Sequence, residues 1–195
     1  MLGRLSPLLV VLVAAGCFGG GGSSVSATNG ESLVLGRSDV GKGFTQFDKG
    51  KQRLADLTPP RDTPDRFGRK GGWKARFSRP GSHKTQGPLV ISSLADLFGS
   101  AKGARDDFAL YRDALGQFVS TGGRPISAPG LGDESYAITY RQGVAPNAVR
   151  YYVIAWRDGS VTASLNMNGF EGRFSREQAL ELARMQDERI RAAAS

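Results

Sequence analysis

The chain holds one histidine and one cysteine, the two side chains most used for metal binding and nucleophilic catalysis. A single histidine, His83, excludes a His-His metal pair. A single cysteine, Cys17, excludes a Cys-cluster zinc site and an intramolecular disulfide. His83 lies in the Pro/Gly/Ser/Lys turn 82–87, with no carboxylate or thiol near it in sequence, so it reads as an exposed loop residue. Asp133 and Glu134 are adjacent, and adjacent strand residues project to opposite faces. They read as a turn-forming Asp followed by a strand-edge Glu. No serine occupies a Gly-x-Ser-x-Gly elbow or a Ser-x-x-Lys arrangement, and no glycine stretch leads into the Gly-Lys-Ser/Thr of a phosphate loop. The expectation is therefore no catalytic residue, no metal site and no cofactor.

Cys17 has another chemistry open to it. Residues 1–17 read MLGRLSPLLVVLVAAGC: a positive Arg4, an apolar run Leu8 to Ala15, then small residues before the thiol. The run is about half the ~20 residues a transmembrane helix needs, so it reads as a secretory leader. Ala14-Ala15-Gly16-Cys17 resembles a bacterial lipobox, with Ala14 where Leu is usual. That resemblance implies removal of residues 1–16 and acylation of the Cys17 thiol. Two or three acyl chains, at ~0.8 kcal/mol per buried CH₂, anchor stably where one chain is reversible. Residues 17–30 then form the lipidated cysteine and a Gly/Ser-rich tether. Its segment 19–30 has a coil reach of roughly 20 Å.

What remains is charge and aromatic surface. The 26 Lys and Arg outnumber the 18 Asp and Glu, for a formal charge of +8. Eight basic residues fall between Arg61 and Lys84, against Asp62 and Asp65. This run could be a solvated face near an anionic membrane, worth ~1 kcal/mol per basic residue close to lipid. It could also hold an anionic envelope polymer or ligand, or contact an envelope protein. Nucleic acid is not expected, because no recognised motif is present. Tyr151, Tyr152 and Trp156 fall on one strand that is apolar on both faces. One of its faces must be covered by residues 31–71 or be left open as an aromatic-lined concave surface. The residues expected to contact an anionic ligand are Arg69, Lys70, Lys74, Arg76, Tyr151, Tyr152 and Trp156.

The elements that position these residues are read by period. Trp73, Ala75 and Phe77 alternate with polar neighbours as a half-buried strand, and Leu89 to Phe98 is a more buried one; the two are expected to pair antiparallel. Ala104, Phe108, Tyr111, Leu115 and Phe118 form a helical stripe within 101–118. Pro125 to Pro129 is a short extended piece. Three strands follow around Tyr136–Tyr140, Val149–Trp156 and Val161–Met167, the last two joined by the hairpin signal Asp158-Gly159. Ser175 and Gln178 form a capping box that opens a final helix. Leu33-Val34-Leu35 reads as a short strand or docked turn, Ser38 as the cap of one helical turn, and Gln52 to Leu57 as another turn broken by Pro59-Pro60. Together these predict an α+β fold over 31–195 in the order ββα(β)βββα, with about five antiparallel strands and two main helices on one sheet face.

Residues 130–190 carry a resemblance of their own in GLGDES, WRDGSVTASLN and SREQALELARMQDERI. They are similar to the C-terminal half of the extracellular sensor domains of mycobacterial Ser/Thr kinases and to PsbP/Mog1-like lipoprotein domains. The resemblance implies a membrane-anchored, extracytoplasmic, non-enzymatic sensing or binding domain. The kinase domains carry disulfide pairs that this chain lacks, so no ligand residues transfer. The alternatives left open are an envelope assembly protein that uses its 61–84 face and a hydrolase with an unrecognised site.

Overall fold

The structure is a computed structural model and describes residues 27–56 and 64–194. The leader, Cys17, most of the tether and Arg61 lie outside these residues. Seven antiparallel strands form one sheet: β1 (Thr45–Lys51), β2 (Arg69–Ser78), β3 (Val90–Phe98), β4 (Arg124–Ile126), β5 (Glu134–Gln142), β6 (Val149–Asp158) and β7 (Val161–Phe170). Their spatial order is β1-β2-β3-β7-β6-β5-β4. Besides a four-residue turn α1 (Arg37–Val40), there are two long helices, α2 (Ala101–Val119) and α3 (Arg176–Ala194). Among the described residues, no helix is long and apolar enough to cross a membrane.

The α+β class and the β2–β3 pairing match the sequence reading, but the strand count differs. The extended piece at 124–126 becomes edge strand β4, and β1 is additional. β1 reads TQFDKGK and has no apolar face. Backbone pairing with Ser78 to Trp73 holds it, with a register shift between Gln46 and Asp48. Such an irregular, charged edge resists adding further strands.

The helices do not share a face. In register across the sheet, Trp73, Ala95, Ala163 and Trp156 stand on one side, while Lys74, Leu94, Ser164 and Ala155 stand on the other. α3 covers the first side with Ala179, Ala183 and Ile190, and α2 covers the second with Phe108, Tyr111 and Leu115 over Ile138 and Val153. A sheet apolar on both faces needs a layer on each, and β6 shows that pattern. Both helices open as their sequences require. Ser100 Oγ accepts from the Gly103 amide at 3.1 Å. Ser175 and Gln178 exchange bonds of 3.0 and 3.2 Å.

Residues 27–35 complete the α3 face as a docked turn. A 3₁₀ turn spans Ala27–Leu33, and Leu33, Val34 and Leu35 are buried. Gln186 on α3, fully buried, pins them: its amide donates to the Leu33 carbonyl at 3.1 Å and the Leu94 carbonyl at 3.0 Å, and it accepts from Ser93 Oγ at 2.8 Å. Ser93 Oγ in turn accepts from the Leu35 amide at 3.0 Å. Gly30 lies flat on the Trp73 indole, where a Cβ would sit 1.6 Å from the ring. Ser38 lies inside α1 and does not cap it; the Gly36 amide donates to the Asp39 carboxylate at 2.7 Å.

Candidate functional site

Of the seven described basic residues in the 61–84 run, Arg69, Lys74 and Arg76 are paired with aspartates inside the fold. Lys74, 6% exposed, reaches Asp48 and Asp56, each at 2.9 Å. Arg76 meets the same two carboxylates at 3.1 and 3.3 Å. Arg69 pairs with Asp96 at 2.7 Å. Burial works against the Asp56 carboxylate, but the Arg53 amide, Lys74 and Arg76 more than offset it and hold its pKa below the ordinary value. The bonds to Asp48 and then Asp56 raise the Lys74 ammonium in turn. These cations lock residues 48–56 onto the sheet and do not form a free anion face. Lys74 also borders a hollow of about 370 Å³ between β1 and residues 31–37. Lys70 alone of the four projects to solvent.

The aromatic residues separate as well. Tyr151 stacks on Tyr140 at 4.6 Å and 3°, on the α2 side. Trp156 is fully buried beneath α3. Tyr152 lies on the α3 side, edge-on to Phe174 at 5.0 Å. Both faces of β6 are thus covered by helices, α3 over Trp156 and α2 over Val153 and Ala155, where residues 31–71 were the expected cover, and Tyr152 sits at the margin. Asp133 and Glu134 both bind Arg157, at 2.6 and 2.7 Å, because Asp133 belongs to the turn before β5. His83 is an exposed loop residue whose carbonyl accepts from Arg173 Nε at 3.3 Å.

Tyr152 opens onto a cleft of about 870 Å³ at the N-terminal end of α3. Four arginines line it: Arg124 from β4, Arg150 from β6, Arg173 from the β7–α3 turn and Arg176 from the first turn of α3. The turn is brought close by Gly169, where a Cβ would press 2.7 Å from the Gly87 carbonyl and from Phe174. The Gly87 amide donates to the Arg173 carbonyl at 2.7 Å across this contact.

Arg150 makes a two-pronged ion pair with Glu171, at 2.7 and 2.6 Å. That bond, with help from Arg141 and Arg124, holds the Glu171 carboxyl below its usual range. Burial pushes the Tyr152 phenol up, so it stays protonated and able to donate. Arg176 pairs with Glu177 at 3.1 Å. Thr139, Gln86 and Gln178 add neutral polar groups to the walls.

Four arginines against Glu171 and Glu177 leave the lining with an excess of two positive charges. Two further features are electrostatically adverse. Arg141 and Arg150 are directly opposed across β5 and β6, and like charges in that relation repel. Arg173 and Arg176 flank the start of α3, where the helix dipole favours anions. An anionic group seated among them relieves all three, and arginine forks suit carboxylate and phosphate. Among the described residues no cluster of three His, Cys, Asp or Glu forms a metal site. The Ser175 hydroxyl is used as the helix cap.

The arginines of this cleft were not singled out from sequence. Each is a lone cation in its own segment, and the densest basic run drew attention elsewhere. One signal was present: Arg173 precedes the Ser175–Gln178 capping box and Arg176 lies within it, against the usual charge preference of a helix start.

No family model matches the chain, and no curated protein matches it. Among solved structures, the chain is similar to the extracellular domain of PknH from Mycobacterium tuberculosis, at a TM-score of 0.65 and 13% identity. The match covers 88% of this chain and all of that domain. At that identity the likeness is one of fold: this chain has the α+β architecture of that extracellular domain.

Proposed function

We propose that this protein is a membrane-anchored extracytoplasmic lipoprotein whose domain binds an anionic ligand in the arginine cleft, as a non-enzymatic, sensor-like module. The observation that carries the reading is the convergence of Arg124, Arg150, Arg173 and Arg176 on one cleft at a helix start, with only two carboxylates to balance them. The fold shared with an extracellular sensor-kinase domain supports an extracytoplasmic setting. The leader and the lipobox-like Ala14–Cys17 support acyl anchoring through Cys17. The Ser175 hydroxyl is engaged as the α3 cap, and the arginine forks make anion binding the chemistry the cleft favours. The pairing of Arg69, Lys74 and Arg76 with aspartates weighs against an anionic polymer or lipid held by the 61–84 face.

Titration calorimetry of the full chain in detergent, with sodium pyrophosphate as probe, tests the reading. Binding is expected to weaken steeply with added salt and to be lost in the double variant Arg124→Ala/Arg176→Ala. Equal binding by that variant sinks the assignment. Mass spectrometry of the mature N-terminus tests the anchor: the expected species begins at an acylated Cys17, and an uncut leader or an unmodified thiol refutes it.

A further inference from the structure

The cleft has a fixed donor that its cations do not supply. Tyr152 is 8% exposed, with its ring packed edge-on against Phe174 at 5.0 Å. It lines the cleft, and its hydroxyl has no hydrogen-bond partner among the described residues. β6 is an interior strand, so this phenol is held by a buried ring on a rigid element. Such a donor is ordered before any ligand arrives, and a ligand that accepts from it loses little further freedom. Arg150, Arg176, Glu171 and Glu177 all act electrostatically on the phenol, which places it among the charges of the cleft.

The four arginines are not equally engaged. The Arg150 fork is filled by Glu171. Arg176 meets a single oxygen of Glu177, at 3.1 and 3.2 Å, and an exposed pair of this kind holds its partners weakly. Arg173 Nε donates to the neutral His83 carbonyl at 3.3 Å. Arg124 and Arg173 make no ion pair among the described residues, and these two are the excess charge of the lining. That excess is also confined. In the hollow next along α3, Asp39 and Glu181 stand against Arg79, so a polyanion meets no further run of cations there.

Resting on the anion-binding reading above, we infer that the ligand is a phosphomonoester, with the Tyr152 hydroxyl donating to one terminal oxygen of its phosphate and the arginine forks taking the others. With a second pKa of about 6, a phosphomonoester carries close to two negative charges at pH 7.5 on three acceptor oxygens. That matches two unbalanced cations and one extra neutral donor in a compact site. A carboxylate or a phosphodiester brings one charge and two terminal oxygens, and leaves a cation and the phenol unanswered. Pro125 and Ile126 on the β4 wall give the organic part of the ester an apolar contact, in a cleft of the size that small molecules occupy.

The test is calorimetry on the full chain in detergent, at pH 7.5 and fixed salt, comparing glycerol 3-phosphate with its phosphate methyl ester. The two share a skeleton, and the diester has one charge and one terminal oxygen fewer. The monoester is expected to bind at least tenfold more tightly. Tyr152→Phe keeps the ring and removes the hydroxyl; it should cut monoester affinity about tenfold and change diester affinity less than twofold, so that the preference collapses. A variant that weakens both esters alike overturns the role of the hydroxyl. Equal affinity for the two esters, or binding of neither, with pyrophosphate still bound, overturns the phosphomonoester and leaves the anion-binding reading standing. Loss of pyrophosphate binding as well removes that reading. Dihexanoyl phosphatidic acid separates the sources of the ester: binding tighter than that of glycerol 3-phosphate assigns it to a lipid headgroup, binding no tighter assigns it to a small soluble molecule, and both uphold the phosphomonoester. The comparison of esters uses the unaltered protein, so it decides the matter even if Tyr152→Phe folds poorly.

Discussion

Two groups of basic side chains sit in this protein under opposite electrostatic conditions. On the α2 side of the sheet, Lys74, Arg76 and Arg69 each face an aspartate at 2.7 to 3.3 Å, and Lys74 is almost wholly buried. At the start of α3, Arg124, Arg150, Arg173 and Arg176 share two glutamates and look onto open space. The first group is a closed account between charges, and its contribution is to shape. The second is left in excess, and its contribution is to binding. Local charge density in the sequence does not distinguish them; the supply of partners does.

The largest expected effect lies in the closed group. Lys74→Ala removes the more buried of the two cations shared by Asp48 and Asp56 and leaves Arg76 alone against both carboxylates. Urea unfolding should show a loss of about 3 kcal/mol, the low end of the range for breaking a buried pair, because one cation remains. A loss below about 1 kcal/mol would mean that water already compensates these groups and that the two clusters are less different than they look.

Gln186→Ala comes next. It orphans the Leu33 and Leu94 carbonyls and the Ser93 hydroxyl, at about 1–3 kcal/mol for buried groups left unsatisfied. Amide exchange should quicken at Leu35, whose N–H bonds to Ser93 Oγ, while β6 and β7 stay protected. Uniform loss of protection across the sheet would show that residues 27–35 are part of the folding core.

In the open cluster, Arg124→Ala/Arg176→Ala should abolish pyrophosphate binding yet change stability by no more than about 0.5 kcal/mol, as expected of exposed substitutions. A slight gain in stability fits the relief of repulsion at the α3 start. A loss as large as that of Lys74→Ala would erase the distinction.

The smallest effect concerns pH. The Glu171 carboxyl lies below its ordinary value in the folded protein, chiefly through Arg150. Its contribution is present above the unfolded carboxyl pKa and disappears as pH falls through the lower folded value. Asp187 shifts the other way: burial raises it, so its charge burdens the folded state at neutral pH and acidification relieves that burden. Glu171→Gln should therefore narrow the stability gap to the unaltered protein as pH is lowered from 6 to 3. Glu171 is partly exposed, and after solvent screening the gap should stay below about 1 kcal/mol. A gap constant across that range would assign the effect to packing.

Much of the fold was legible because it is written locally. The alternation at Trp73–Phe77, the stripe Ala104–Phe118, the Asp158-Gly159 turn and the Ser175–Gln178 box each report their own segment, and each formed as read except that Phe118, at the end of its stripe, is exposed. β1 was not legible, since backbone pairing with β2 holds it and no apolar period marks it. The placement of α2 and α3 was misread because periodicity says that a face is apolar and not which helix arrives to cover it. Among the residues expected at the site, Tyr152 alone lines the arginine cleft. Cys17 falls outside the described residues.

The sequence by itself determined most element types, the single thiol and the excess of positive charge, because composition and short-range periodicity carry them. Only the tertiary structure decided which cations are neutralised and which are left to face a cleft. That outcome depends on contacts such as Arg69 with Asp96 and Arg150 with Glu171, 27 and 21 residues apart, which form only when the sheet brings distant strands together.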